Sequence, residues 1–365
     1  MTRAIAFNLP QFHPIPENDE WWGKGFTEWT NVAKAKPLFK GHYQPHLPAD
    51  LGFYDLRLPE AREAQASLAR EYGIHGFCYY HYWFNGKRLL ERPVNEIFAS
   101  GKPDFPFCLC WANENWTRVW DGGERKVLMQ QVYSESDDLD HIRSLIPIFQ
   151  DRRYIKIDGK PLFIVYRVNR LPNPRQTTET WRREAGKAGL PGVYLLRVES
   201  TTDESGDPRE LGFDAALEFQ PRWSLQMGLR KRRGHWWERY KLGTGKQIYA
   251  DQSICDYRDF VDRAIAMESP PYPFIRSVCP GWDNTARRKQ GGLILHRSTP
   301  EDYERWLTNI VQQAMSYPPN AKQGESLVFI NAWNEWAEGN HLEPCQRWGR
   351  SYLEATLRAL SSSTG

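Results

Sequence analysis

Residues 327–344 read LVFINAWNEWAEGNHLEP, an almost continuous apolar run that ends in two Trp and two Glu, with Glu335 and Glu338 three positions apart. A run without polar alternation is the form of a strand covered by helices on one face and by a core on the other. FCLCWA (107–112) and LFIVY (162–166) have the same form. Working outward, eight segments qualify as strands: Arg3–Leu9, Ile74–Phe84, Phe107–Ala112, Pro161–Arg167, Val193–Glu199, Ala215–Phe219, Phe274–Pro280 and Leu327–Trp333.

Helical patterns separate them. LPEAREAQASLAREYG places Ala61, Ala64, Leu68 and Tyr72 on one face before a Gly73 stop. STPEDYERWLTNIVQQAM opens with a Thr299 cap and Pro300, then repeats at Tyr303, Trp306, Ile310 and Ala314. After the fifth strand the helical signal shrinks to Pro208–Leu211. Strands and helices in this alternation predict an α/β chain forming a (β/α)₈ barrel, one domain over 1–365, with long βα loops after strands 1 and 6. The alternative, a doubly wound sheet, lacks a GxGxxG after its first strand.

Composition narrows the function. Apolar residues are 40%, charged residues 25%, and the net charge of +3 is too small to make nucleic acid the default partner. No stretch reaches the roughly 18 apolar residues of a membrane span. MTRAIAFNL enters a strand directly, with no signal-peptide h-region, so the expected location is cytoplasmic. The six Cys show no CxxC spacing and read as core thiols. The 16 Trp are unusual because many lie beside Asn, Glu and His. That mixture suits a carbohydrate, whose C–H face packs on a flat ring while amides and carboxylates bind its hydroxyls.

A barrel gathers its reactive groups at the C-terminal ends of its strands. There, NLPQFH offers Asn8, Gln11 and His13. YYHYWF offers Tyr80, His81 and Tyr82, and WANENW offers Trp111, Asn113, Glu114, Asn115 and Trp116. PGWDNTARR offers Trp282, Asp283 and Asn284, and NEWAEG offers Asn334 and Trp336 beside Glu335 and Glu338. Trp21, Trp22 and Trp29 of the first long loop either cover the cleft or pin the loop. Glycoside cleavage commonly uses two carboxyl groups flanking the scissile bond, and Glu335 with Glu338 is the best pair available. Spacing alone also fits a turn whose glutamates are solvated or cap the next helix.

NEWAEG, preceded by FINAW and followed by NHLEP, resembles the NEWxEG-type segment of glycoside hydrolase family 99, the endo-α-mannosidase family. The whole chain, through IAFNLPQFHP, GFTEWTNV, GFCYYHYWF, WANENWTRVWDG and PGWDNT, resembles the related WbsX group, described as glycosyltransferases of polysaccharide clusters or as family 99-like proteins. The resemblance implies a (β/α)₈ barrel and retaining cleavage of an α-linkage through a 1,2-anhydro sugar. Glu335 would act as base on the sugar 2-hydroxyl and Glu338 as general acid, its pKa raised towards neutrality. Ala337 departs from the family 99 pattern, which has His there, and this bears on the identity of the sugar.

Other signals carry less. Asp138–Asp140 forms a DxD, but at the start of a helix, where acidic residues suit the dipole. His42 and His46 flank Pro45, which disfavours a helical ligand pair. No metal and no cofactor are expected. GTGK (243–246) lacks the full phosphate-loop pattern, and the basic run Arg230–Arg233 fits a solvated loop or a contact with an acidic polysaccharide or anionic membrane surface. The expected partner is a poly- or oligosaccharide substrate, not nucleic acid, and the oligomeric state is left open. The expected function is a retaining α-glycoside hydrolase acting on a mannose- or rhamnose-like sugar with a free 2-hydroxyl. Its rivals are a glycosyltransferase of surface-polysaccharide assembly and a silent carbohydrate-binding barrel.

Overall fold

The structure, a computed structural model, describes residues 2–118, 123–226, 252–316 and 326–362. Its main sheet contains β1 (Thr2–Asn8), β2 (Gly76–Phe84), β3 (Phe107–Trp111), β4 (Lys160–Val165), β5 (Tyr194–Glu199), β6 (Ala215–Glu218), β7 (Phe274–Ile275 and Ser277–Val278) and β8 (Ser326–Ile330). Every neighbouring pair is parallel. The first piece of β7 pairs with β6 and its second with β8, so the row of strands closes on itself as an α/β barrel.

The seventh strand is interrupted at Arg276 for an identifiable reason. Glu218 at the end of β6 is fully buried and accepts from Arg276 Nε at 2.9 Å and from the Ser277 amide at 3.1 Å. The remaining Arg276 nitrogens donate to the carbonyls of Ala264 and Met267 and to Gln313. One arginine therefore ties the barrel seam to the helices outside it, and its charge is matched by a carboxylate as burial requires.

The helices on the outer face are α1 (Pro59–Glu71), α2 (Arg92–Ser100), α3 (Glu135–Phe149), α4 (Pro174–Lys187), α5 (Tyr257–Ala266), α6 (Pro300–Ser316) and α7 (Ser351–Ser361). Only two short 3₁₀ turns, Thr202–Glu204 and Pro208–Leu211, follow β5, as the weak pattern there predicts. Ser134 caps α3 by accepting from the Asp137 amide, and Asp256 caps α5 through the Arg258 amide. On α1 the buried face is Arg62, Gln65, Ala66, Leu68 and Ala69, while Ala64 is exposed. Polar Arg62 and Gln65 turn inward because each has a partner there, the Leu56 carbonyl and Glu343.

Inside the barrel Phe7 packs on Tyr80, Phe219 and Phe329, with ring centroids 5.3 to 5.7 Å apart. Trp111, Trp181, Trp306, Trp333 and Trp336 are fully buried, so much of the tryptophan excess is core. All six Cys are free and buried. No helix among the described residues is long and apolar enough to cross a membrane. Most of the long loop after β6, with Arg230–Arg233 and GTGK, lies outside the described residues.

Candidate active site

Beyond β8, Asn334–Glu335 pairs antiparallel with Asn340–His341, and a 3₁₀ turn, Trp336–Glu338, joins the two. Residues three apart nearly eclipse on a 3₁₀ turn, so Glu335 and Glu338 emerge on one side. The others turn into the body. Asn334 accepts from the Leu9 amide at 2.7 Å and donates to the Leu9 carbonyl at 3.1 Å, fixing the end of β8 to the end of β1. Trp336 stacks on His341 at 3.7 Å and donates to Glu343 at 2.6 Å. Gly339 closes the turn at φ 57°, where an added Cβ would stand 2.9 Å from the Asp283 Cβ. Only glycine lets this turn rest against the loop after β7.

That loop brings Arg287. Its guanidinium donates from Nε to Glu28 at 2.7 Å and from one terminal nitrogen to Glu335 at 2.9 Å, and its other terminal nitrogen lies 2.7 Å from Glu338. One cation thus holds three carboxyl groups from two separate loops, that after β1 and that after β8. The facing oxygens of Glu335 and Glu338 lie within about 8 Å of each other, because the two nitrogens that hold them share a single carbon. Burial pushes the Glu335 carboxyl up to about 8, Arg287 pulls it down, and Glu338 and Glu28 push it up again. Burial also raises Glu338, with Arg287 opposing. Two enclosed carboxyls, one buried and one partly buried, sharing one guanidinium with a third favour keeping a proton between them. Glu338 is raised, as the resemblance implies, and Glu335, the more enclosed of the two, is raised with it.

Both glutamates line an open cleft of about 420 Å³ at the C-terminal end of the barrel. Gln11, Tyr80, Tyr82, Glu114, Asn115, Trp116 and Trp282 line it as well. Trp116 stands edge-on to Tyr82 at 5.1 Å and to Trp21 at 5.7 Å. Trp22 reaches the cleft, whereas Trp29 pins its loop by donating to the Tyr54 carbonyl at 2.8 Å and packing on Trp336.

Several expected contacts lie elsewhere. His81 alternates with Tyr80 and Tyr82 along β2 and faces the helices, its Nε2 2.9 Å from His141 Nε2. Trp111 likewise packs between the sheet and the helices, on His141 and Trp181. Asn113 is fully buried and exchanges hydrogen bonds with the Arg167 backbone at 2.7 and 2.8 Å. Asn8 is fully buried under Asn334, and His13 turns to the Pro10 carbonyl at 3.0 Å. Asp283 caps the turn Asn284–Ala286 and pairs with His42 at 2.5 Å, behind the cleft wall. Asp138 accepts from Thr177 at 2.7 Å behind the sheet, away from the cleft.

Sequence reading missed Arg287, Glu28, Asn18, Tyr166, Arg167 and Ser200, of which all but Glu28 line the cleft. Glu28 and Arg287 stand inside GFTEW and PGWDNTARR, already conspicuous segments, but 259 residues apart. An arginine three residues after a strand-end Trp-Asp-Asn was the available signal. Arg167 is held by Glu114 at 3.0 Å and by Glu204 at 2.9 Å.

Residues 4–356 match the family model described as glycosyltransferase WbsX. Uncharacterized protein WxcX of Xanthomonas campestris pv. campestris, strain ATCC 33913, is 45% identical over 361 residues, which is 98% of this chain and 49% of that protein. The protein of the same name from strain B100 matches to the same extent. The chain therefore spans about half the length of these curated relatives. Among solved structures, the GH99 endo-alpha-mannosidase from Bacteroides thetaiotaomicron superposes with a TM-score of 0.56 at 15% identity, covering 99% of this chain and 97% of that one. A structure named glycoside hydrolase-like protein gives 0.58 at 12% identity, covering 98% and 93%. At these identities the likeness shows the shared barrel fold.

Proposed function

The chain belongs to the WbsX family, and from that premise we propose that it is a retaining glycoside hydrolase acting on α-linked poly- or oligosaccharides. The observation that carries this reading is the turn that aims Glu335 and Glu338 into one aromatic-lined cleft while Arg287 holds both. The endo-α-mannosidase named above has the same fold, which supports a mannose-like sugar with a free 2-hydroxyl.

In the proposed first step Glu335 takes the proton of the 2-hydroxyl as that oxygen attacks C1. Glu338 protonates the departing glycosidic oxygen as its bond to C1 breaks. In the second, Glu338 takes a proton from water, the water oxygen attacks C1 as the C1–O2 bond breaks, and Glu335 returns its proton to the freed 2-oxygen, giving net retention. The pair needs one proton at the outset, which its raised pKa values provide. A 2-hydroxyl hydrogen-bonded to Glu335 favours the ionised form there and so moves the shared proton to Glu338. Tyr82 and Trp116 would support the sugar's C–H face, and Gln11, Glu114 and Asn115 would bind hydroxyls.

The family's own description favours a second reading, transfer from a nucleotide sugar. Such a donor brings a diphosphate, which binds best to uncommitted cations. Arg287 and Arg167 are instead committed to carboxylates, which weighs towards hydrolysis. The test is to incubate the protein with α-linked glycans and, separately, with nucleotide sugars plus acceptor, following the product anomer by NMR. The proposal expects retained hydrolysis product, and loss of about 10²–10⁴ in kcat for Glu335→Gln and Glu338→Gln. Turnover only with nucleotide sugars would refute it.

A further inference from the structure

Behind Trp282 lies a second pocket that contains neither glutamate. Its volume is about 240 Å³, and Trp282 and the loop at Gly339 separate it from the cleft. Its walls are aromatic: Tyr43, Trp282, Trp348 and Tyr352. Trp282 also buries an indole N–H that has no hydrogen-bond partner. Its rim carries Lys40, Arg297 and Arg347.

The charges here are arranged differently from those of the cleft. Asp283 is the pocket's one acidic lining residue, and it is committed to His42 and to Thr285. Arg297 stands 3.8 Å from Asp256, a loose contact on an exposed side chain. Among the described residues Lys40 and Arg347 have no carboxylate partner. The Arg347 guanidinium lies over Tyr43 at 4.7 Å and over Trp348 at 5.1 Å, which orients its planar fork while leaving its edge free. His46 and His341 touch at 3.0 Å, and burial lowers both, His46 to about 4, so at neutral pH they add hydrogen-bonding groups without charge.

We propose that this pocket is a second saccharide-binding site, taking a sugar residue that bears an anionic group between Trp348 and Trp282, with Arg347 and Lys40 as counter-charges. An aromatic box suits a pyranose face, and uncommitted cations distinguish an acidic sugar from a neutral one. The inference rests on the chain being carbohydrate-active but not on the roles given to Glu335 and Glu338, so it survives if hydrolysis is not found.

Calorimetric titration of the full chain tests it, using tri-α-1,4-galacturonic acid, the fully methyl-esterified trimer, galactose 1-phosphate and inorganic phosphate. The expected result is millimolar or tighter binding of an acidic sugar, at least fivefold weaker binding of the neutral ester, and weakening with added salt. Arg347→Gln and Lys40→Gln change exposed side chains, and each should weaken the acidic sugar by roughly threefold to fivefold without altering the melting temperature. Trp348→Ala should weaken acid and ester alike. The proposal is overturned if acid and ester bind equally, if the double charge variant binds like wild type, or if neither anionic sugar binds at millimolar concentration. Inorganic phosphate binding as tightly as the sugars would also overturn it, by showing an anion site without sugar recognition.

Discussion

Replacing Arg287 with Gln removes the one cation that Glu28, Glu335 and Glu338 share, leaving two buried carboxyl groups and a third, partly buried one converging without it. Its side chain is 11% exposed, so solvent does little to screen these pairs. Breaking a buried ion pair by deleting one partner costs about 3–5 kcal/mol. The cost here depends on pH, and its sign follows from the raised carboxyls. The folded-state pKa of Glu335, about 8, lies above the ordinary carboxylate value. Its contribution to stability is therefore fully present below the unfolded value and is lost as pH rises through about 8. Arg287 opposes the rise, so its removal pushes Glu335 and Glu338 higher and extends the loss beyond pH 8. Each tenfold tightening of proton binding adds about 1.4 kcal/mol to the variant's deficit at high pH. As pH falls the two raised carboxyls take up protons, their pairing with Arg287 weakens, and its removal costs less. Urea unfolding followed by Trp fluorescence at pH 5, 7 and 9 should show a deficit larger at pH 9 than at pH 5 by about 1.5–3 kcal/mol. A deficit equal at all three pH values, or largest at pH 5, would refute the shared-cation reasoning.

Activity should fall on the alkaline side as pH passes about 8, when the pair loses its last proton, and a kcat profile flat from pH 6 to 10 would contradict that. Trp116→Ala removes a ring on the cleft wall; steady-state kinetics should show KM raised roughly fivefold with kcat less affected. His81→Ala removes a ring stacked on His141 behind the sheet, not in the cleft, so thermal unfolding should show a loss of about 2–4 kcal/mol while KM stays unchanged. Gly339→Ala forces a Cβ into left-handed backbone and against Asp283, and should cost about 2 kcal/mol or more in thermal unfolding and lower kcat through the displaced turn.

The barrel was legible because its strands are apolar on both faces and its helices carry their own caps and periods, each a local property. Even the missing helix after β5 shows in the sequence. The phase of the strand ends was less accessible. Where both faces of a strand are apolar, nothing in YYHYWF says that Tyr80 and Tyr82 look inward and His81 outward. Trp111 and Asn113 were misjudged for the same reason, since a Trp beside amides looks alike on either side of the sheet. Glu335 and Glu338 were legible as a pair because the turn that unites them lies within four residues. Glu28 and Arg287 were not, because only the closed barrel brings loops so distant in sequence onto one guanidinium.

The central claim, that Glu335 and Glu338 act together on one anomeric carbon, is tested most directly by comparing two α-glycosides in the two Gln variants. One carries a natural sugar leaving group and the other an activated aryl group that departs without protonation. The account predicts that Glu338→Gln loses far more rate on the natural substrate than on the aryl one, while Glu335→Gln loses both. Equal losses on the two substrates for Glu338→Gln, or wild-type rates in either variant, would contradict it.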